Sequence, residues 1–189
     1  FAKYFFESSN IKYAENFINL EKNRKSDLIE VHNRPAVFNY LAKKIGGKRK
    51  IILYFHNDPL SLRGSISVNQ RTKILNNASA IIFVSEWTKK RFFKNLNFSE
   101  NHPKVYVVYP SVNKKKFFQN KEKAILFVGK LNRSKGYDLF CSSVIRILEK
   151  YPKWKAYVIG DEPREKITYN HDRLIKLGFL DHNKVLNYY

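Results

Sequence analysis

At 189 residues the chain has room for one large domain or two small α/β lobes. A hydrophobic fraction of 43% excludes a wholly disordered chain, and no run of about 18 uninterrupted apolar residues is present to span a bilayer. The net charge of +20 leaves three readings open: phosphate neutralisation on nucleic acid, attraction to an anionic membrane surface or substrate, or a lysine-rich solvated surface.

The N-terminal stretch Phe1–Asn10 carries Glu7 and lacks the charged-then-apolar layout of a signal segment. Beyond it, short apolar runs alternate with helical patterns. Leu28–Val31 is the first predicted strand. A helix follows from Pro35, a residue suited to the first helical position because its missing N–H has no partner there. Val37, Leu41 and Ile45 recur every four residues, Lys43 and Lys44 occupy the last turn where the helix dipole favours cations, and Gly46-Gly47 ends the run. Strands are then expected at Ile51–Phe55, Ala80–Val84 and Val105–Val108, separated by helices over Ser65–Asn77 and Glu86–Asn95. The polar, proline-bearing stretch Tyr109–Lys123 interrupts the alternation, and reads either as a crossing between two sheets or as a long loop within one. Strand Ala124–Val128, a helix from Lys135 to Tyr151 and strand Ala156–Ile159 complete the pattern. This βαβα order predicts an α/β fold of parallel sheets covered by helices on both faces. Its division is a first lobe at 1–108, a crossing at 109–123 and a second lobe at 124–189.

The strongest local chemistry lies in Ala124–Phe140, AILFVGKLNRSKGYDLF. An apolar strand ends at Gly129; Lys130, Arg133 and Lys135 follow; a helix is expected to start at once. A helix N-terminus offers unpaired N–H groups, and cations beside it suit a diphosphate. The alternative is an ordinary strand-to-helix loop with solvated cations. The segment matches neither the dinucleotide fingerprint nor the P-loop pattern. His56 follows a strand in YFHNDP, at the end where parallel sheets bind ligands. It could donate a hydrogen bond to a ligand hydroxyl, or cap the strand structurally. His32, Asn33 and Arg34 occupy the equivalent place after the preceding strand, where Asn33 could instead cap the helix begun by Pro35. Arg63 sits in a loop downstream of His56. Asp161 and Glu162 are adjacent at a strand end and read as turn caps, not as an acid/base pair. The histidines are scattered and Cys141 falls in a predicted helix, so no metal site is expected. One cysteine also excludes an internal disulfide.

Phe127–Tyr137 resembles the strand–"GRL…KG"–helix element of glycosyltransferase family 4. Ile81–Arg91 (IIFVSEWTKKR) is similar to the family's "I-x-x-S-x-x-x-K" strand and helix, and VVYPSVN at Val107–Asn113 to its "V-x-x-N-G-V-D" crossing, with Asn113 and Phe117 where Asp and Phe usually stand. VIGDE at Val158–Glu162 looks like the strand ending in "GDG", and Leu177–Tyr189 like the "FLG…V…L…LY" strand and helix. The resemblance covers most of residues 27–189. It implies a GT-B fold of two Rossmann-like lobes and retaining transfer of a sugar from a nucleoside diphosphate donor to an acceptor hydroxyl, without metal or other cofactor.

Carried over residue by residue, the resemblance gives Lys135 the donor diphosphate, with Lys130 where the family usually has Arg; this keeps the charge but loses the bidentate fork, and Arg133 is placed to compensate. Phe179 and Leu180 fall in the nucleotide-base region, and His56 at a sugar contact. His32, Asn33, Arg34 and Arg63 are acceptor-side candidates. The family's E-x7-E element is expected beyond Tyr189 and its first strand before Phe1, and the absence of Met fits a fragment lacking both ends. A carbohydrate or lipid-linked acceptor at the inner, cytoplasmic face of the membrane is the expected partner, with no nucleic acid. The rival expectations are a nucleotide-sugar epimerase of the same fold and a basic nucleic-acid-binding module.

Overall fold

The computed structural model describes residues 9–112 and 121–189. The stretch Asn113–Asn120, with the lysine run and Phe117 of the expected crossing, lies outside the described residues, as does Glu7. The chain forms two compact units, 1–114 and 115–189.

The first unit runs α1 (Ser9–Glu21), β1 (Leu28–His32), α2 (Pro35–Ile45), β2 (Lys50–Phe55), α3 (Val68–Asn77), β3 (Ala80–Phe83), α4 (Glu86–Phe93) and β4 (Val105–Val107). Its four strands are parallel in the order β1-β2-β3-β4. The strand register sets Ile29, Val31, Ile51, Leu53, Phe55, Ile81 and Phe83 on one buried face. Phe38 and Leu41 of α2, Ile74 and Leu75 of α3, and Phe92 and Phe93 of α4 close over that face. Phe55 stacks on Phe83 at 5.4 Å and both meet Phe92; each such ring contributes about 1.5–3 kcal/mol by burial.

The opposite face departs from expectation. Helices were predicted on both faces, but Leu28, Glu30, His32 and Tyr106 stand exposed on the second. The strand order explains this: each crossover steps to the next strand in the same direction, and right-handed crossovers then deliver α2, α3 and α4 to one side.

Helix boundaries follow their caps. The helix expected from Ser65 begins at Val68, because Ser67 forms a capping box with Gln70, whereas Ser65 is buried and donates to the Pro59 carbonyl at 2.6 Å. Ser85 caps α4 in the same way with Thr88. That helix stops at Phe93, short of the expected Asn95, which adopts a positive φ of 63°. Helix α1 was not anticipated. Its Ala14, Phe17 and Ile18 join the core, and its last residue, Glu21, is buried as a carboxylate. Hydrogen bonds from Ser26, then the Arg49 guanidinium, hold that carboxyl below its ordinary range against the opposing effect of burial.

The second unit comprises β5 (Ala124–Val128), α5 (Tyr137–Lys150), β6 (Lys155–Ile159), β7 (Leu174–Gly178) and α6 (His182–Leu186). The strands are parallel in the order β5-β6-β7. Tyr137, Cys141, Val144 and Leu148 recur at helical spacing on α5 and pack on Ala156 and Val158. Burial pushes the Cys141 thiol above its ordinary pKa, so it is an inert core residue. Among the described residues no helix is long and apolar enough to cross a membrane.

Candidate functional site

In the second unit the three strand ends converge on backbone. Gly129 N–H donates to the Ile159 carbonyl at 3.0 Å, and Gly160 N–H to the Gly178 carbonyl at 2.8 Å. Gly160 has φ 141°, and a Cβ there would lie 1.8 Å from the Gly129 carbonyl oxygen. Only glycine permits so close an approach at the carboxyl edge of this parallel sheet, the edge where open α/β sheets generally take ligands.

Directly after β5 come the predicted cations. Lys130 is exposed, with Nζ 4.0 Å from Glu162. Arg133 and Lys135 lie in a 3-10 turn, Arg133–Lys135, and are exposed. Among the described residues neither side chain has a hydrogen bond or ion pair. The helix does not start at Lys135 as expected. Gly136, at φ 71°, breaks the path, and α5 begins at Tyr137. The Lys135 amide is therefore not a free helix-terminal donor: it is capped by the Asn132 side chain at 3.1 Å, which also accepts from Ser134. What Arg133 and Lys135 bring to a ligand is their side-chain charge. Phe179, 80% exposed, and the half-buried Leu180 follow β7 on the same strand-end edge, where Asp181 caps α6.

Glu162 anchors the floor of this edge. Its buried carboxylate accepts from Arg164 Nε at 2.7 Å and from the Arg164 amide, so it does cap the following turn. The Arg164 hydrogen bond is the main reason its pKa is held at about 2, opposed by burial and assisted by the charges of Arg164 and Lys130. A carboxyl depressed on folding stabilises the fold above its unfolded pKa and loses that contribution as pH falls. For Glu162 the window runs from about 4.5 down to about 2. Thermal melts across that range should therefore show a smaller acid-induced fall in Tm for Glu162→Gln than for the parent protein. Identical pH slopes would remove Glu162 as a source of acid sensitivity.

In the first unit, the ends of β1 and β2 assemble a second cluster. His32 Nδ1 lies 3.0 Å from His56 Nε2, and His32 Nε2 lies 3.2 Å from Glu30 Oε2. The rings of His32, Tyr54 and His56 stack, with centroids 4.7–5.3 Å apart. Burial, then the charge of His32, lowers the His56 pKa and favours its neutral form. Asn33 does not cap α2. It sits at φ 55°, and its side-chain oxygen accepts from the backbone N–H groups of His56 and Asn57 at 3.3 and 3.1 Å. The cap position of α2 belongs to Arg34, which makes no side-chain capping bond. Arg63 lies in a loop docked on α2: its carbonyl accepts from Ala36 N–H, and Gly64 O accepts from Asn39. Asp58 further ties this loop to Arg91 through a 2.7 Å ion pair.

The structure thus brings His32, Asn33 and His56 together at one strand-end cluster, and Lys130, Arg133 and Lys135 onto one loop. Sequence reasoning missed Glu30 and Tyr54. Each stands two residues before a singled-out histidine, Glu30 before His32 within β1 and Tyr54 before His56 just past the end of β2, a spacing that sets side chains on one face. That spacing was the available signal.

Comparison with known proteins bears on the family and the fold. A model of Glycosyltransferase Family 4 matches residues 2–116. YtcC of Bacillus subtilis (strain 168), a protein named as a glycosyltransferase, is 30% identical over 181 residues, covering 82% of this chain and 43% of its own. Among solved structures, Anabaena Alr3699/HepE in complex with UDP-glucose aligns with a TM-score of 0.64 at 14% identity over 89% of this chain and 52% of that one. TarM aligns at 0.66 with 13% identity, over 91% and 37%. The chain therefore spans about half the length, or less, of the relatives it matches. The structural likenesses place its two parallel α/β units in the GT-B fold class, and the sequence match settles the lineage: the chain belongs to Glycosyltransferase Family 4.

Proposed function

We propose that the protein is a retaining glycosyltransferase that moves a hexosyl group from a nucleoside diphosphate sugar to an acceptor hydroxyl. The observation that carries this reading is the loop after β5, where three cations stand beside a strand-end edge that only glycine backbone can form. A leaving diphosphate gains negative charge as the glycosidic bond breaks. Preorganised cations at that point lower the barrier without reorganisation. Lys130, Arg133 and Lys135 supply this charge in the present reading, so transfer should survive a metal chelator. The UDP-glucose seen with HepE supports a uridine diphosphate donor of this kind. Phe179 offers an exposed ring for the base. The first unit contributes His56 as a contact to a sugar hydroxyl, with His32, Asn33, Arg34 and Arg63 on the acceptor side. Retention of anomeric configuration follows from the family resemblance. The high positive charge fits an acceptor carried at the anionic cytoplasmic face of a membrane, in polysaccharide or glycolipid assembly.

Lys135→Ala in the intact protein tests the site. Losing one charge-assisted hydrogen bond of about 1.5–3 kcal/mol should lower kcat/KM for the donor by about ten- to a hundredfold, and Lys135→Arg should recover part of it. Unchanged transfer together with unchanged UDP binding would dismiss the loop as the diphosphate site. A product formed without any acceptor would instead identify an epimerase.

A further inference from the structure

The cluster on β1 and β2 contains more than a histidine at a strand end. Glu30, His32 and His56 form a continuous chain of polar atoms, with separations of 3.2 and 3.0 Å. The sense of each hydrogen bond in that chain is set by chemistry. An ionised carboxylate only accepts, so Glu30 requires His32 Nε2 to carry a proton and donate. A neutral His32 protonated at Nε2 has a bare Nδ1, which can only accept. His56 Nε2 must then donate to it, which leaves His56 Nδ1 bare. Among the described residues that Nδ1 has no hydrogen-bond partner.

The backbone fixes the geometry in which this logic operates. Asn33 grips the N–H groups of His56 and Asn57 and itself donates to the Tyr54 carbonyl at 2.7 Å. The ring of Tyr54 lies flat against both imidazoles, 11° and 15° from parallel. The imidazoles therefore have little freedom to swing out of line. Burial favours the neutral form of His56, and the polarity described holds where His32 is neutral as well.

We propose that Glu30 and His32 are positioning residues that fix the hydrogen-bonding polarity of His56, so that its Nδ1 presents a lone pair that accepts the proton of a sugar hydroxyl. This reverses the donor role expected of His56 from its position alone. It rests on the reading of His56 as a sugar contact, and it adds the reason that contact has a direction. A carboxylate behind a histidine, holding one tautomer, is the general logic by which an imidazole is oriented; here the hold passes through a second imidazole.

Histidine tautomers are read directly from long-range proton–nitrogen NMR spectra. The intact protein, labelled with nitrogen-15 in histidine and held at a pH where imidazoles are neutral, should show His56 protonated at Nε2 and bare at Nδ1. Peaks are assigned with His56→Gln and His32→Gln. In Glu30→Lys the first group becomes a donor, so every bond in the chain inverts and His56 should shift toward the Nδ1-protonated tautomer. Glu30→Gln can accept or donate and should give averaged nitrogen shifts. Identical His56 shifts in the parent and both variants would overturn the proposal. Kinetics separate this from the functional reading. If His56 is a sugar contact, Glu30→Lys should lower kcat about tenfold while leaving the donor KM in place. A tautomer that inverts with no change in kcat would uphold the relay and refute the sugar contact.

Discussion

Gly160→Ala is expected to unfold the second unit or to cost it more than about 4 kcal/mol, the range reserved for a few identifiable mechanisms. Two of them coincide here. The residue sits at φ 141°, a region that side chains rarely adopt. Its new Cβ would also meet the Gly129 carbonyl oxygen at 1.8 Å, far inside van der Waals contact. That oxygen cannot retreat cheaply. The Gly129 amide is bonded to Ile159 and the Gly160 amide to Gly178, so relief on one side breaks pairing on the other. Gly47→Ala is the control, because nothing lies within 4 Å of a Cβ there and its φ is ordinary. Denaturant unfolding of the two variants beside the parent measures the difference. A Gly160→Ala protein as stable as Gly47→Ala would show that the β5 and β6 ends are not held together as described, and the edge on which the donor reading depends would go with it.

That edge was legible in the sequence only in outline. All six predicted strands exist to within a residue or so of their expected bounds, because runs such as Ile51–Phe55 and Ala124–Val128 are β-branched, short and bounded by turn residues. What escaped was whatever depends on a partner distant in the chain. Helix α1 has a three-to-four spacing in Ala14, Phe17 and Ile18, but the next inward position is Glu21, and a charged residue there breaks the pattern unless Ser26 and Arg49 are known to receive it. The start of α5 was placed too early because Lys135 and Gly136 look like a helical first turn. The left-handed φ of Gly136 becomes a requirement only once Asn132 has closed the 3-10 turn in front of it. Asn33 is the same lesson at the other edge. As a residue before Pro35 it has the composition of a cap, yet its positive φ turns the side chain toward the end of β2. That α2, α3 and α4 share one face of the first sheet was implicit in strand order, and strand order is not written in any single segment.

Arg71→Met should cost the first unit about 2–4 kcal/mol and release a loop. Arg71 is 2% exposed. Its Nη1 donates to the Ser65 and Ile66 carbonyls at 3.2 and 2.6 Å, and its Nη2 donates to the Lys94 carbonyl at 2.7 Å. The guanidinium thus stitches the turn before α3 to the end of α4. Burial, then the charge of Arg91, lowers its pKa, the mark of a cation kept out of water at some cost. Removing it relieves that cost and an unpartnered Nε, but takes the donor from three carbonyls, the Ser65 bond buried and the Ile66 and Lys94 bonds part-buried, at up to about 1–3 kcal/mol for each that water cannot reach. The stranded carbonyls outweigh the relief, since methionine can fill the volume but not the hydrogen bonds. Arg71→Lys should do little better, because one ammonium cannot span carbonyls on two separate segments as the planar fork does. The loop that loses its stitch carries Arg63, whose peptide is held by the Ala36 amide and by the fit of Gly64 against α2. Trypsin cleaves after arginine, so limited proteolysis reports the change at the residue in question. Cleavage after Arg63 should accelerate in Arg71→Met well beyond the rate in the parent. If stability falls while that bond stays protected, Arg71 supports α3 and α4 but not the loop, and the acceptor-side position of Arg63 owes its order to Asp58 and Arg91 instead.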